Sequence, residues 1–396
     1  MRKTIAILGL ILLIIFECAR VYLIMPLPGS QNFNSIDIAY FLGSNKWTIR
    51  LIGYLITLVP CILIIKNGHK KEKIIIGLLA IVYIIVFYVF TFQMEADKMF
   101  YQPTKVVTTN LSKNKIPNNK LVIAVVIDNI AIAYPIQLIG YHHQVVDTIN
   151  GKTIMVTYCT VCRTGRVYSP IVNGKQETFR LVGMDHFNAM FEDATTKSWW
   201  RQSNGECIAG PLKGYKLREI KSEQLVLSAW ARVHPNTKVL QPDTLFKENF
   251  EKMDTYDKGK SKGALTKRDT SSWKSKSWII GIQDGENSRT YDWNQLVKQR
   301  MIQDSLPNNP IVILLESDTA SFHSYNRSIN NMVLTFRKQQ DSIWDLNTGS
   351  LWSYEGVCFQ GKLKGIKLTS INSYQEFLHS WEFFHPKSVR FKNDHP

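Results

Sequence analysis

Two stretches of the sequence decide the fold: GECIAGPLKGYKL at residues 205–217 and GVCFQGKLKGIKL at residues 356–368. They share three glycines, two leucines, two lysines and one cysteine at identical spacing. Repeated units within one chain usually share one fold, because each unit carries the same pattern of buried and turn positions. The two stretches therefore predict tandem homologous repeats.

Further matches extend both repeats in the two directions along the chain. The matching pairs are Tyr134 and Tyr291, Asp147 and Asp304, Ile154 and Ile311, Tyr168 and Tyr325, Phe179 and Phe336, Arg180 and Arg337, Ser198 and Ser350, Trp200 and Trp352, Ile220 and Ile371, Trp230 and Trp381, His234 and His385, and Pro235 and Pro386. We place the first repeat at residues 100–250 and a second, degenerate repeat at 277–396. A linker rich in Lys, Gly and Ser joins them at 251–276.

Each repeat is mostly β-strand by pattern. Asn-Gly pairs at 150–151 and 173–174 each separate two strand-like runs, and Asn-Gly suits a tight hairpin because both residues tolerate positive φ. Each repeat is expected to end in a helix, at residues 222–233 and 373–384, which a His-Pro pair stops. The second of these runs begins with capping-box spacing of Ser and Glu. The sequence thus predicts an α+β fold with mainly antiparallel strands.

Residues 1–95 are expected to form a membrane domain with three transmembrane helices. The runs 5–25, 47–65 and 74–92 are each long and apolar enough to cross about 30 Å of hydrocarbon as a helix. The first run contains Glu17 and Arg20, which are spaced to pair on one helical face. Arg50 lies near one end of the second run, where its side chain is expected to reach the interface.

The placement of Lys and Arg predicts the orientation of these helices. Basic residues cluster at the start of the chain and between the second and third spans, as Arg2, Lys3, Lys66, Lys70, Lys71 and Lys73. Positively charged short loops stay in the cytoplasm. We therefore expect a multi-pass protein of the cytoplasmic (inner) membrane whose soluble domain lies on the extracytoplasmic side.

The formal net charge of +16 does not indicate a nucleic-acid partner. No helix-turn-helix, zinc-finger or RNA-binding signature accompanies it, and an extracytoplasmic domain rarely meets nucleic acid. A solvated basic surface facing anionic lipid or cell-wall polymers accounts for the charge. The membrane is therefore one predicted partner. A protein or small-molecule redox partner of unknown identity is the other.

The segment TYCTVCRTGR at residues 157–166 carries the candidate chemistry. Cys159 and Cys162 place two thiols within reach of each other at a strand end, and Arg163 and Arg166 supply positive charge that would stabilise a thiolate. The second repeat has lost both thiols, because Glu316-Ser317-Asp318-Thr319 stands in their place. This difference favours a specific role in the first repeat, as a thiol-disulfide oxidoreductase site.

Two alternatives remain open for the cysteine pair. The first is a metal-binding or metal-delivery module, in which Cys159, Cys162 and a histidine hold zinc or copper. His142, His143 and His186 are the candidate third ligands. At most one of the adjacent residues His142 and His143 can face the thiols from a strand, and we take His143 as that ligand. The second is a non-catalytic cell-envelope scaffold or sensor, in which the cysteines are a structural staple.

The same chain resembles a bacterial family catalogued as domain of unknown function 3179. The resemblance spans residues 120–245, with a weaker match in the second repeat, and rests on His143, Asp147, Gly151, Tyr158, Cys159, Cys162, Phe179, Gly183, Ser198, Trp200, Gln202, Gly205, Gly210, Gly214, Leu217, Trp230 and Pro235. Relatives commonly carry Cys-Pro-Leu-Cys where this chain has Thr160 and Val161 between the cysteines, and some are labelled as candidate selenoproteins. The resemblance implies redox or metal chemistry at the cysteines and names no substrate.

Overall fold

The computed structural model describes residues 2–340 and 342–392. Met1, Asp341 and residues 393–396 lie outside these ranges, and so do the outer ends of the predicted domains 1–95 and 277–396. The described chain mixes helices and sheets, and its strands pair antiparallel except at two places. This confirms the predicted α+β class with mainly antiparallel strands.

Ten α-helices occur in the described residues. They are α1 Arg2–Tyr22, α2 Ile36–Ser44, α3 Lys46–Asn67, α4 Lys70–Phe92, α5 Ala96–Met99, α6 Ile136–His142, α7 Leu227–Val233, α8 Lys247–Lys252, α9 Trp293–Gln299 and α10 Leu378–Phe384. By length and composition α1, α3 and α4 could cross a membrane, as the sequence predicts.

The described residues also form 28 short strands. They are β1 Thr108–Asn110, β2 Leu121–Ile127, β3 Ile130–Pro135, β4 Gln144–Ile149, β5 Lys152–Cys159, β6 Thr164–Tyr168, β7 Ile171–Val172, β8 Lys175–Gln176, β9 Phe179–Asp185, β10 Asn188–Asp193, β11 Trp199–Arg201, β12 Cys207–Ala209, β13 Glu223–Val226, β14 Lys238–Leu240, β15 Trp278–Asp284, β16 Asn287–Asp292, β17 Met301–Ser305, β18 Pro310–Leu315, β19 Phe322–Asn326, β20 Ser328–Ile329, β21 Met332–Val333, β22 Phe336–Gln339, β23 Ser342–Asp345, β24 Leu351–Trp352, β25 Cys358–Gln360, β26 Thr369–Ser370, β27 Ser373–Phe377 and β28 Val389–Arg390.

The chain packs into two compact units. The helix unit comprises Met1–Gln102 and Ile171–Leu217, and the sheet unit comprises Pro103–Pro170 and Arg218–Pro396. The helix unit therefore takes β7 to β12 from the middle of the predicted first repeat. These units are defined by packing, whereas the predicted domains are defined by sequence repeats. The predicted domain boundaries therefore stay a prediction.

In the helix unit, a four-stranded sheet in the order β12-β11-β10-β9 packs against the segments around α2. The backbone N–H of Met184 donates to the carbonyl of Ile24 at 2.7 Å. A Cβ atom on the neighbouring Gly183 would lie 2.4 Å from that carbonyl oxygen, so this close approach requires glycine. Tyr40 of α2 meets Trp199 of β11 edge to face, with ring centroids 5.2 Å apart.

Charged residues of α1 and α3 pair with one another in the interior of the helix bundle. The Glu17 carboxylate accepts hydrogen bonds from Arg50 Nε at 2.7 Å and Arg50 Nη2 at 2.9 Å. Arg50 Nη2 also donates to Thr91 Oγ1 at 2.8 Å, and Arg20 lies 3.4 Å from Glu17. The expectation that Arg50 reaches the interface is wrong: Arg50 is fully buried, because a carboxylate within the bundle offers it a partner.

In the sheet unit, two sheets have the same plan. One has the order β1-β14-β3-β2-β13 and the other has the order β27-β15-β16-β28. In each of them a strand pair is flanked by one antiparallel strand and one parallel strand, as β14 beside β3 and β28 beside β16. Three further sheets, β4-β5-β6, β17-β18-β19-β26 and β22-β23-β24-β25, and the β20-β21 hairpin complete this unit.

The two Asn-Gly pairs form the hairpin turns that the sequence predicts. Asn150 and Gly151 have φ angles of 49° and 76° and join β4 to β5. Asn173 and Gly174 have φ angles of 50° and 77°, but their strands β7 and β8 are only two residues long. Positive φ at both central residues matches the twist of paired strands.

The two helices at the repeat ends begin later than the sequence predicts. Residues Glu223–Val226 form β13, which pairs with β2, and Ser373–Phe377 form β27, which pairs with β15. The expected capping box of Ser373 and Glu376 is therefore wrong, because both residues are in a strand. Pairing with a distant strand overrides the local helical pattern. The His-Pro stops are confirmed, since α7 and α10 each end directly before the His.

Several local contacts occur twice in the chain. The Asp193 carboxylate accepts from the Thr hydroxyl three residues later at 2.8 Å and from the Trp indole seven residues later at 2.9 Å. The Asp345 carboxylate accepts from the corresponding Thr and Trp at 2.9 Å each. The rings of Trp230 and Trp381 both pack against the ring of the His four residues later, at centroid distances of 3.9 and 3.8 Å.

Candidate functional site

The β5–β6 hairpin of the sheet unit positions the two cysteines. Cys159 is the last residue of β5 and pairs with Thr164, the first residue of β6. Residues 160–163 form the turn between them, so Cys162 lies inside the turn. Arg163 adopts a φ of 58°, which is uncommon for a residue other than glycine. This backbone angle directs the turn into β6.

Both thiols are buried and contact each other. Neither Cys159 nor Cys162 has exposed surface, and both are present as thiols. The Cys162 thiol is hydrogen-bonded to Cys159 and to Ser380. Burial raises the pKa of the Cys162 thiol well above its usual range and Cys159 raises it further, while Ser380 and the charge of Lys276 oppose this increase.

Polar side chains from the predicted linker and from α10 enclose this turn. Lys276 Nζ donates to the carbonyl of Val161 at 2.7 Å and lies 3.1 Å from His379 Nε2. Burial, reinforced by Lys276, lowers the pKa of His379 to about 3, so His379 is neutral at pH 7. The sequence alone did not identify Lys276, His379 or Ser380, because only tertiary packing brings them to the cysteines.

Arg163 and Arg166, which the sequence predicts to stabilise a thiolate, form hydrogen bonds with other side chains. Arg163 Nε donates to Gln375 Oε1 at 2.8 Å, and its guanidinium lies 3.7 Å from the centroid of the Trp278 ring. Arg166 Nη2 donates to Glu376 Oε1 at 2.5 Å. Lys276 is instead the cation that opposes the increase in the pKa of Cys162, and the role assigned to Arg163 and Arg166 stays a prediction.

The expected position of His143 on a strand is wrong, because β4 begins at Gln144 and His143 caps the end of α6. Its φ of 63° turns the chain into the strand. His143 is buried, its Nδ1 lies 3.2 Å from the carbonyl of Tyr141, and burial lowers its pKa to about 4. It is therefore neutral at pH 7.

The metal alternative needs at least one ligand besides the thiols. Within residues 2–340 and 342–392, no three His, Cys, Asp or Glu side chains are grouped so that they could hold a metal ion. His142 instead packs edge to face against Phe246 and Phe250. His186 Nδ1 lies 2.6 Å from Asp185 Oδ1 in the helix unit. Zinc or copper binding thus stays a prediction without an identified third ligand.

A cavity of about 670 Å³ lies in the sheet unit, next to two residues that contact the Arg163 side chain. Trp278 and Asp257 line it, and both contact Arg163, the latter through its carbonyl at 3.1 Å. Arg268 also lines the cavity and stacks on Trp278 at 4.0 Å. Arg163 therefore connects the turn that carries the thiols to the wall of this cavity.

The two other cysteines outside the long helices are packed in the protein interior. Cys207 and Cys358 are both buried thiols, and each sulfur lies 3.5 or 3.3 Å from the carbonyl two residues later. Burial raises the pKa of Cys207 to about 11. Both thiols are buried and neither is part of a Cys-x-x-Cys pair, so these two serve as internal controls for the reactivity of Cys159 and Cys162.

A family model described as "Protein of unknown function (DUF3179)" matches residues 101–388. No curated protein and no solved structure matches the chain.

Proposed function

The chain belongs to the DUF3179 family of proteins of unknown function, and from its own side chains we propose that it is a membrane-anchored thiol-disulfide oxidoreductase. The observation that supports this most is the hydrogen bond between Cys159 and Cys162 with the Lys276 ammonium beside them. Two thiols in contact can close into a disulfide, and a nearby cation stabilises the thiolate that must form first.

The proposed reaction transfers two electrons from the thiol pair to a partner disulfide. The Cys159 thiolate attacks one sulfur of the disulfide R–S–S–R, so that a mixed disulfide forms and one RS⁻ leaves. The Cys162 thiolate then attacks the Cys159 sulfur and releases the second RS⁻. The protein ends as the Cys159–Cys162 disulfide, and the partner ends as two thiols that take up the two protons.

Exchange requires the turn to open, because both sulfurs are closed to solvent in the described conformation. The backbone N–H of Phe377 donates to the carbonyl of Cys162 at 2.9 Å, and the Arg163 side chain holds Gln375. Local opening of such a segment costs less free energy than global unfolding. We propose that loss of these contacts exposes the pair toward the cavity lined by Trp278.

The same burial favours a second candidate function, a non-catalytic scaffold or sensor. A buried thiol with a raised pKa is a poor nucleophile, and its removal then affects packing alone. The two candidates differ in one respect, which is whether Cys159 and Cys162 change oxidation state while the protein stays folded.

Replacement of Cys159 with serine is expected to abolish exchange with a chromogenic aryl disulfide. In the wild type the release of the second aryl thiolate should become faster as the pH rises, because burial raises the pKa of the resolving Cys162 thiol and more of its thiolate forms at higher pH. The measurement is stopped-flow release of the aryl thiolate by the full chain in detergent. Cys207→Ser is the control, since it removes a buried thiol of the same type. Equal rates for Cys159→Ser and wild type would contradict the proposal.

We also propose that the chain contains a duplicated domain. The sheets β13-β2-β3-β14 and β27-β15-β16-β28 have the same order and directions, and the contacts of Asp193 and Trp230 recur at Asp345 and Trp381. Cys159 then corresponds to Glu316, whose carboxylate accepts a hydrogen bond from His323 Nε2 at 2.8 Å. An experimental structure with a different strand order in the two halves would contradict the duplication.

The soluble part is proposed to lie outside the cytoplasmic membrane. Basic residues lie at the start of α1 and between α3 and α4, on one side of the bundle if all three helices cross. Protease added to intact spheroplasts should therefore cleave the region after residue 100. Cleavage only after lysis would show the opposite orientation.

A further inference from the structure

A second cavity, of about 400 Å³, lies entirely within the helix unit. Arg20, Tyr40 and Lys46 line it from the helix side, and Arg180, Lys197 and Trp199 line it from the sheet side. The thiol chemistry of the sheet unit does not involve this cavity. Its position, charge and unpaired atoms each indicate the class of ligand that it would take.

The cavity lies at the level of the membrane interface. Arg20 is in the last turn of α1, Lys46 is the first residue of α3, and Glu95 follows the end of α4 by three residues. These helices are the candidate spans, so their ends mark the boundary between hydrocarbon and water. This holds for either orientation of the protein, because all three ends lie on the same side of the bundle.

The helix α2 borders the cavity and carries the side chains expected of an interfacial helix. Tyr40 and Gly43 line the cavity, while Ile38 and Phe41 are 60% and 58% exposed. Trp47, the second residue of α3, is 63% exposed. Exposed apolar and aromatic side chains at this depth are typical of helices that lie in the headgroup region. In a bilayer the exposed side chains of α2 would face lipid, while Tyr40 and Gly43 face the cavity.

The charges around the cavity leave an excess of positive charge. Five basic and three acidic side chains line it, and every carboxylate already has a basic partner. Glu95 contacts Arg20 at 2.7 Å and Lys46 at 3.1 Å. Arg180 contacts the other two carboxylates, at 2.8 and 3.4 Å.

The excess positive charge lies on two lysines. Lys98 and Lys197 are exposed, and neither forms an ion pair within the part of the chain that the structure describes. Two solvated ammonium groups at the mouth of a cavity are suited to the oxygens of an anion. The cavity thus offers two cations that the protein itself does not neutralise.

Two buried polar atoms at the cavity lack partners. Arg20 is 3% exposed, and its Nε has no hydrogen-bond acceptor among the described residues. Oδ1 of Asp97 has no donor there either. Buried polar groups in folded proteins are nearly always hydrogen-bonded, so these atoms are suited to a ligand that supplies both an acceptor and a donor. A phosphate oxygen and a headgroup hydroxyl would satisfy them.

We propose that this cavity binds the headgroup of an anionic glycerophospholipid whose headgroup also carries hydroxyl groups. The phosphate would lie among Arg20, Lys98 and Lys197, a headgroup hydroxyl would donate to Asp97, and the acyl chains would stay in the bilayer beside α2. A cavity of about 400 Å³ has room for a headgroup.

Lipid binding by the full chain in neutral detergent tests this proposal. Native mass spectrometry with phosphatidylglycerol is expected to show one retained lipid per chain, and phosphatidylcholine with the same acyl chains should not be retained. The double variant Lys98→Gln, Lys197→Gln should weaken phosphatidylglycerol binding at least about tenfold, because two charge-assisted contacts are lost. The double variant Lys175→Gln, Lys216→Gln changes the net charge equally at exposed positions of the same unit that do not line the cavity, and should bind as wild type.

Three results would overturn the proposal. Equal retention of the two lipids would show that the cavity does not select an anionic headgroup. Equal weakening by the two double variants would show an effect of net charge alone. Displacement of phosphatidylglycerol by millimolar inorganic phosphate, with the same Tm increase from phosphate as from lipid, would assign the cavity to free phosphate instead.

Discussion

Replacement of Arg50 with methionine is expected to lower the free energy of unfolding of the helix bundle by about 3–5 kcal/mol, because it leaves a buried carboxylate without its main partner. Glu17 and Arg50 have no exposed side-chain surface, and their closest atoms are 2.7 Å apart. Arg50 also packs between Trp47 and Phe87, with 4.6 Å to each ring centroid. The measurement is unfolding of the full chain in mixed micelles with increasing denaturing detergent.

Neutralising the Glu17 carboxylate separates the effect of the unpaired charge on stability from the effect of the lost packing. The double variant Glu17→Gln, Arg50→Met should recover most of the lost stability, since a neutral pair in the interior carries no unpaired charge. Lys66→Gln, at an exposed position of the same helix, should change stability by less than about 0.5 kcal/mol. A double variant no more stable than Arg50→Met would contradict this account of the ion pair.

Replacement of Arg166 with methionine is expected to have an effect of similar size in the sheet unit, about 3–5 kcal/mol. Arg166 and Glu376 have 3% and 1% exposed side-chain surface and lie 2.5 Å apart. The guanidinium also lies 3.3 Å from the centroid of the Tyr374 ring. Because this pair joins β6 to β27, hydrogen exchange of the backbone amides in these two strands should accelerate most.

The double variant Arg166→Met, Glu376→Gln should again restore part of the stability. Arg218→Met removes an exposed arginine of the same unit and should leave the exchange rates of β6 and β27 unchanged. Acceleration spread evenly over all strands of the sheet unit would contradict a local role for the pair.

The sequence predicted those features of the fold that depend on nearby residues. The Asn150-Gly151 turn follows from the ease with which both residues adopt positive φ, and the three apolar helices follow from their length and composition. The ends of α7 and α10 follow from the His-Pro pairs, because proline disfavours helical geometry in the residue before it.

The features that were wrong depend on distant residues. Glu376 is in a strand rather than a helix because β27 pairs with β15, about 100 positions earlier in the chain. Arg50 is buried because Glu17 faces it from another helix. No local pattern contains these partners.

The candidate site was predicted only in part for the same reason. Cys159 and Cys162 lie in one hairpin turn, so their spacing was enough to place them together. Lys276 and Ser380 reach them from segments more than 100 residues away, and these segments also bury the thiols. The closed state of the pair and the ammonium beside it were therefore not visible in the sequence.

The central claim is that Cys159 and Cys162 form one redox unit, and differential alkylation of the membrane-extracted protein followed by mass spectrometry tests it most directly. After treatment with a disulfide reductant or a disulfide oxidant, we expect these two residues to convert together between dithiol and disulfide, while Cys207 and Cys358 stay thiols. If the pair keeps one oxidation state under both treatments while the protein stays folded, the claim is contradicted and the cysteines are structural.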